Sequence, residues 1–223
     1  MSTLIIRYLT FAAGIFFLSL GIDLIVVSAL GTTPISSVNY VLSLHLPLTF
    51  GVTSVLFNMV VIVLQFWLIR GRGTRTDRIE ILLQIPFSLL FGLCIDLNMV
   101  WIGRIVPQSY LQCMALLIAG CLVQAVGIVL ELKPNVAIMS AEGFVKYYCR
   151  RYNRDFGRVK VAFDVCLVMM AVVLSLLFAG HIEGVREGTL IAALSTGWLV
   201  NLLTRHIMTD AFFARLEQGF RHP

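Results

Sequence analysis

Charge is scarce in this chain: only 13% of its 223 residues are Asp, Glu, Lys or Arg, about half the roughly 25% usual in a soluble domain. So small a polar complement cannot cover a water-soluble globule. Motifs of chemistry are missing as well. There is no P-loop, no G-x-S-x-G and no H-E-x-x-H, and His45, His181, His206 and His222 are scattered over loops and ends. An enzyme, a catalytic residue and a cofactor are therefore not expected. The cysteines (Cys94, Cys113, Cys121, Cys149 and Cys166) form no C-x-x-C pair. They read as small packing residues rather than disulfides or metal ligands.

What is abundant is apolar length. Hydrophobic residues make up 59% of the chain and the mean hydropathy is +0.92. Stretches 11–29, 52–69 and 161–180 are nearly free of formal charge and long enough to cross a hydrocarbon core of about 30 Å. The lipid bilayer is the expected solvent. The net charge of +5 does not point to nucleic acid, because basic residues between apolar helices are what membrane orientation requires. The first apolar stretch is read as a helix rather than a cleaved leader: one basic residue, Arg7, precedes it, and it has a counterpart later in the chain.

That counterpart belongs to an internal repeat. A shift of about 106 residues aligns Gly14 with Gly120, Gly21-Ile22 with Gly127-Ile128, Phe50-Gly51 with Phe156-Gly157, and Asn58 with Asp164. One residue less aligns Gly92 with Gly197 and Asp96 with Asn201. Glycines and polar residues inside apolar helices are not matches that a bias toward Leu and Val creates. The units are 1–106 and 107–205, followed by a tail, 206–223. Each unit reads as a long helix (about 5–28 and 108–130), a short interrupted segment (31–47 and 134–149), and two more spans (50–69 and 80–101; 157–179 and 187–204). The short segments open with turn formers and are too short to cross alone.

With three crossings per unit, the second unit must insert upside down. The expected fold is an all-α membrane protein of six transmembrane helices, built as two inverted three-helix repeats, each with a re-entrant helix after its first span. Placing both termini in the cytoplasm puts all of the 17 basic residues there except Arg104 and Arg186. If the short segments crossed fully, the Arg70–Arg78 loop and Lys133 would move outside, against the positive-inside rule.

Inverted repeats with broken helices build solute sites near the midplane, and charge at that depth is costly. The candidate substrate-binding set is Thr33, Ser36, Ser37, Asn58, Asp96, Ser140, Glu142, Asp164 and Asn201. The serines open the short helices, where backbone N–H groups favour a polar solute. Glu142 either faces a cavity as a proton or cation site or caps its own helix. The two Asp/Asn pairs either line that cavity or act as interhelical glue, and Asp164 has Lys160 one turn away. Asp23, which matches Val129, is placed near the outer interface, and Gln65, Gln84, Gln112 and Gln124 are read as packing.

The run Leu30-Gly31-Thr32-Thr33-Pro34-Ile35-Ser36-Ser37, with Tyr40-Val41-Leu42-Ser43, Leu82-Leu83-Gln84-Ile85-Pro86, Phe91-Gly92 and Asp96-Leu97, resembles the YczE/YyaS/YitT family of bacterial integral membrane proteins. The likeness covers about residues 5–205. It implies a bacterial cytoplasmic (inner) membrane and carries no substrate. The repeat itself leads to a secondary transporter or facilitator of a small polar metabolite, coupled to a proton or cation. The alternatives are a passive channel and a non-transporting partner of another membrane protein, docking through the 146–160 loop and the tail. That tail, 210–223, also reads as an amphipathic helix lying on the bilayer. The solute and the oligomeric state stay open.

Overall fold

The computed structural model describes residues 3–71, 73–134 and 136–206; Arg72 and the tail from residue 207, with its expected amphipathic helix, lie outside the described residues. Among the described residues the chain forms eight helices: α1 Thr3–Val27, α2 Pro34–His45, α3 Phe50–Ile69, α4 Arg75–Ile102, α5 Tyr110–Leu132, α6 Ser140–Tyr152, α7 Phe156–Ala179 and α8 Glu187–His206. Five of them, α1, α3, α4, α5 and α7, are long and apolar enough to cross a membrane. The short α2 and α6 stand where the two interrupted segments were expected.

Local chemistry sets the boundaries. Helix α4 begins at Arg75, not near 80, because Thr74 and Asp77 close a capping box around its first turn. Pro34, with φ fixed by its ring, opens α2. Residues 137–139 are not helical, so α6 starts only at Ser140, and it runs on to Tyr152 before Asn153 takes the left-handed conformation at φ 51°. Thr49, Ser109 and Asp155 accept N-cap bonds at the starts of α3, α5 and α7.

Helices α1 and α5 form the central pair. They run antiparallel and touch through glycines. A Cβ on Gly14 would lie 2.6 Å from the Glu131 amide nitrogen, and one on Gly120 would lie 2.9 Å from the Gly21 carbonyl. Gly21 abuts Gln124, and Gly127 abuts Leu18. Small residues in that spacing let two backbones approach closely, which is how helices associate in lipid. Helix α4 packs beside α1, and α8 beside α5; each short helix lies against both α3 and α7.

The distribution of polarity is the reverse of that in a water-soluble protein. Val63, Leu111, Leu177 and Leu194 face outward, each at least 66% exposed. Ser19, Asp23, Gln65, Gln84, Ser88 and Ser175 are buried inside. Such an exterior is stable against hydrocarbon and not against water. The protein is membrane-embedded.

Candidate functional site

Helix α6 starts inside the bundle, and its first turn is met by polar side chains from α3 and α4. The Ser140 hydroxyl donates to Asn58 Oδ1 at 2.6 Å. Gln65 Nε2 donates to the Ser140 carbonyl at 3.0 Å and to Gln84 Oε1 at 2.8 Å. Gln84 Nε2 returns a bond to Gln65 Oε1 at 3.0 Å. Gly143 follows one turn on because the two amides fill its side: a Cβ there would sit 2.7 Å from Gln65 Oε1 and from Gln84 Nε2. Gln65 and Gln84, which the sequence suggests are packing residues, are thus the seat of the broken helix. The available signal was two amides inside apolar helices, each needing a hydrogen-bond partner once buried.

Next to this network lies an ion cluster. Lys160 Nζ on α7 is 2.7 Å from Asp164 Oδ1 and 3.8 Å from Glu142 Oε1. All three side chains are between 23% and 34% exposed, so the cluster is reached from outside the packed core. One lysine faces two carboxylates, which leaves one negative charge in excess. The structure therefore brings together Asn58 with Ser140, and Glu142 with Asp164.

The other expected residues lie elsewhere. Asp96 caps α3: Oδ1 accepts from the Gly51 amide at 2.8 Å and Oδ2 from the Thr49 hydroxyl at 2.7 Å. Gly51 is seven residues before Asn58, about 10 Å along the helix, so Asp96 serves a different level of the bundle. Asn201, expected to share the site with it, is exposed on α8. Thr33, Ser36 and Ser37 are buried around the entry to α2, with the Ser37 hydroxyl donating to the Pro34 carbonyl at 2.7 Å.

The loop before α2 is tied to α8. Gly188 N–H donates to the Leu30 carbonyl at 2.8 Å, Thr32 N–H to Thr189 Oγ1 at 3.2 Å, and Arg186 to the Ala29 carbonyl at 3.0 Å. Gly31 adopts φ 128°, and its absent Cβ would lie 2.5 Å from Thr189 Oγ1, so only glycine fits there.

Two buried acids were not read as site residues. Asp23 is fully buried within the protein, and neither carboxyl oxygen has a direct hydrogen-bond partner. Asn98, whose amide donates to Ser19 at 3.0 Å, and the carboxylate of Asp96 are the polar groups that face it. Glu131, 5% exposed at the end of α5, accepts a bond from the Met139 backbone and faces Glu142. A hydropathy reading passes over Glu131 because it is a single acid closing a long apolar run.

At the arginine-rich end, α4 and α6 are joined by ion pairs. Arg150 Nη1 meets Asp77 Oδ1 at 2.8 Å, and Lys146 Nζ meets Glu80 Oε1 at 2.6 Å. The Tyr147 hydroxyl donates to Glu80 Oε2 at 3.1 Å. Burial, with the Glu80 carboxylate beside it, raises the Tyr147 phenol above its ordinary range, so it remains a neutral donor.

These features define a polytopic membrane protein with a polar interior. Residues 5–205 match the family described as "Family of unknown function (DUF6198)", and the chain belongs to that family. It is 27% identical over 218 residues, 96% of this chain and 100% of the relative, to the Bacillus subtilis (strain 168) protein named "Uncharacterized protein YyaS". The likeness carried by the Leu30–Ser37 run is borne out by that match. No solved structure matches the chain.

Proposed function

We propose that the protein is a secondary transporter or facilitator of a small polar metabolite, and not an enzyme, with its central site at the start of α6. The observation that carries this is the seating of a broken helix on Asn58, Gln65 and Gln84 inside the bundle, beside the Glu142–Lys160–Asp164 cluster. Non-helical backbone at membrane depth survives where it lines a polar site, and such sites in transporters lie where repeats meet.

In this reading the chain crosses the bacterial inner membrane six times, as two inverted units with both termini in the cytoplasm. The reciprocal approach of Gly14 to the Gly127 carbonyl and of Gly120 to the Gly21 carbonyl supports a two-fold relation. So does the packing of α2 on α7 and of α6 on α3. Residues 75–80 and 146–151 meet in ion pairs at one end, in keeping with a shared cytoplasmic side. The two units are unequal in polarity. Helix α6 meets Asn58 and Gln65 on α3, while α2 meets Leu167 and Ala171 on α7 in an apolar cluster. The solute site is therefore one-sided, and its coupling cation competes with Lys160 for Glu142 and Asp164.

Reconstituted protein tests this. Proteoliposomes challenged with a panel of small polar solutes show saturable uptake with trans-stimulation for at least one, and Asp164→Asn or Glu142→Gln changes its dependence on a proton or sodium gradient. Linear, unsaturated flux assigns a passive channel instead. If no solute crosses and a pull-down returns one stoichiometric membrane partner, the transport reading is lost.

A further inference from the structure

The arginine-rich end contains a cavity that the transport reading does not use. It has a volume of about 260 Å³ and lies between the end of α3, the start of α4 and the last turns of α6. Leu68, Gly73 and Tyr147 form its apolar wall, and Asp77, Arg150 and Arg151 its polar one.

The charge in that wall is not balanced. Asp77 is already committed: Oδ1 accepts from Arg150, and Oδ2 accepts from the Thr74 amide and hydroxyl at 2.8 and 2.9 Å. Two guanidiniums against one carboxylate leave a positive excess, and exposed Arg75 and Arg78 follow in the first turn of α4. A guanidinium carries five N–H donors. The hydrogen bonds of Arg150 to Asp77, and of Arg151 to the Leu68 carbonyl at 2.6 Å and the Arg70 carbonyl at 3.5 Å, engage a single nitrogen on each. Donors remain for an anion.

Arg151 is also held in place. Its guanidinium lies 5.7 Å from the Trp67 ring centre and 5.9 Å from that of Tyr152. Trp67 is 58% exposed, and the same helix continues away from it with exposed Leu64, Val63 and Val60. An aromatic–arginine pair at the head of a lipid-facing apolar strip marks the level of the headgroups. A fixed, partly unused fork at that level, above a surface that accepts an acyl chain, fits a phosphodiester better than a free solute.

We propose that this cavity binds the phosphate of an anionic glycerophospholipid, with Arg150 and Arg151 as its donors and the acyl chain lying along α3. The proposal does not depend on transport.

The test is native mass spectrometry of the full chain in detergent, titrated with phosphatidylglycerol and with phosphatidylcholine of the same acyl chains. The wild type retains one phosphatidylglycerol, bound at least about tenfold more tightly than phosphatidylcholine. Arg151→Gln and Arg150→Gln lose that preference. Arg150→Lys, which keeps a cation for Asp77 but not the planar fork, lowers it only in part and guards against misfolding as the cause. Arg158→Gln, an exposed basic position outside the cavity, leaves it unchanged. Equal binding of both lipids, or an Arg158→Gln effect as large as that of Arg151→Gln, overturns the site. Displacement of the lipid by millimolar inorganic phosphate overturns the lipid assignment.

Discussion

Gly21 of α1 and Gln124 of α5 are in direct contact through their backbones: a Cβ on Gly21 would fall 2.6 Å from the Gln124 Cα and closer still to its amide nitrogen. No side chain fits between the two helices at that level without moving one of them.

Gly21→Ala therefore lowers stability, and Gly21→Leu does so by more than the roughly 1–3 kcal/mol of ordinary overpacking. Gly197→Ala is the internal contrast, since nothing lies within 4 Å of its would-be Cβ. Alanine is the better helix former by about 0.5–1 kcal/mol, so that variant is neutral or slightly more stable. Thermal unfolding of both in one detergent checks the pair.

The Gln65–Gln84 pair is coupled. Gln65→Leu strands Gln84 and the Ser140 carbonyl and costs about 1–3 kcal/mol. Adding Gln84→Leu costs less than the same change made in the wild type, because the partner is already gone. A double-mutant cycle by denaturant unfolding measures this; strict additivity would mean the two amides do not interact.

The Asp23 carboxyl is buried, makes no direct hydrogen bond, and has Asn98 and Asp96 as its polar neighbours. A buried polar group left without a hydrogen bond costs about 1–3 kcal/mol by mutational measures. Asp23→Leu accordingly raises the unfolding midpoint, while a fall would mean that the carboxyl is stabilised in the native state.

Orientation is testable with single cysteines in a background lacking the five native ones. Arg75→Cys and Arg154→Cys react with a membrane-impermeant maleimide from one face, and Arg104→Cys reacts from the other. Labelling of positions 75 and 154 from opposite faces contradicts the inverted arrangement.

Much of this was legible in the amino-acid order. Glycines at 14, 21, 120 and 127 mark the faces on which α1 and α5 meet, and Asn58 and Ser140, both in the expected set, are hydrogen-bonded to each other. Depth was harder to read. Helical periodicity tells which way a residue faces but not how far along the axis its partner stands. Asp96 shows this: it was grouped with Asn58, and the structure holds it at the start of α3 on the Gly51 amide. The start of α4 was readable from Thr74 and Asp77, since a capping box is local, but hydropathy alone places it five residues late.

The tie between residues 29–32 and the start of α8 also bears on how the chain is made. The Leu30 carbonyl and the Thr32 amide receive their partners from Gly188 and Thr189, and Thr32 and Thr189 are 157 residues apart. At translation rates of about 5–20 residues per second, the entry to α2 waits roughly 8–30 seconds after its own synthesis before anything can close it. A nascent chain cut short before residue 186 leaves those groups without the partners that the complete chain supplies.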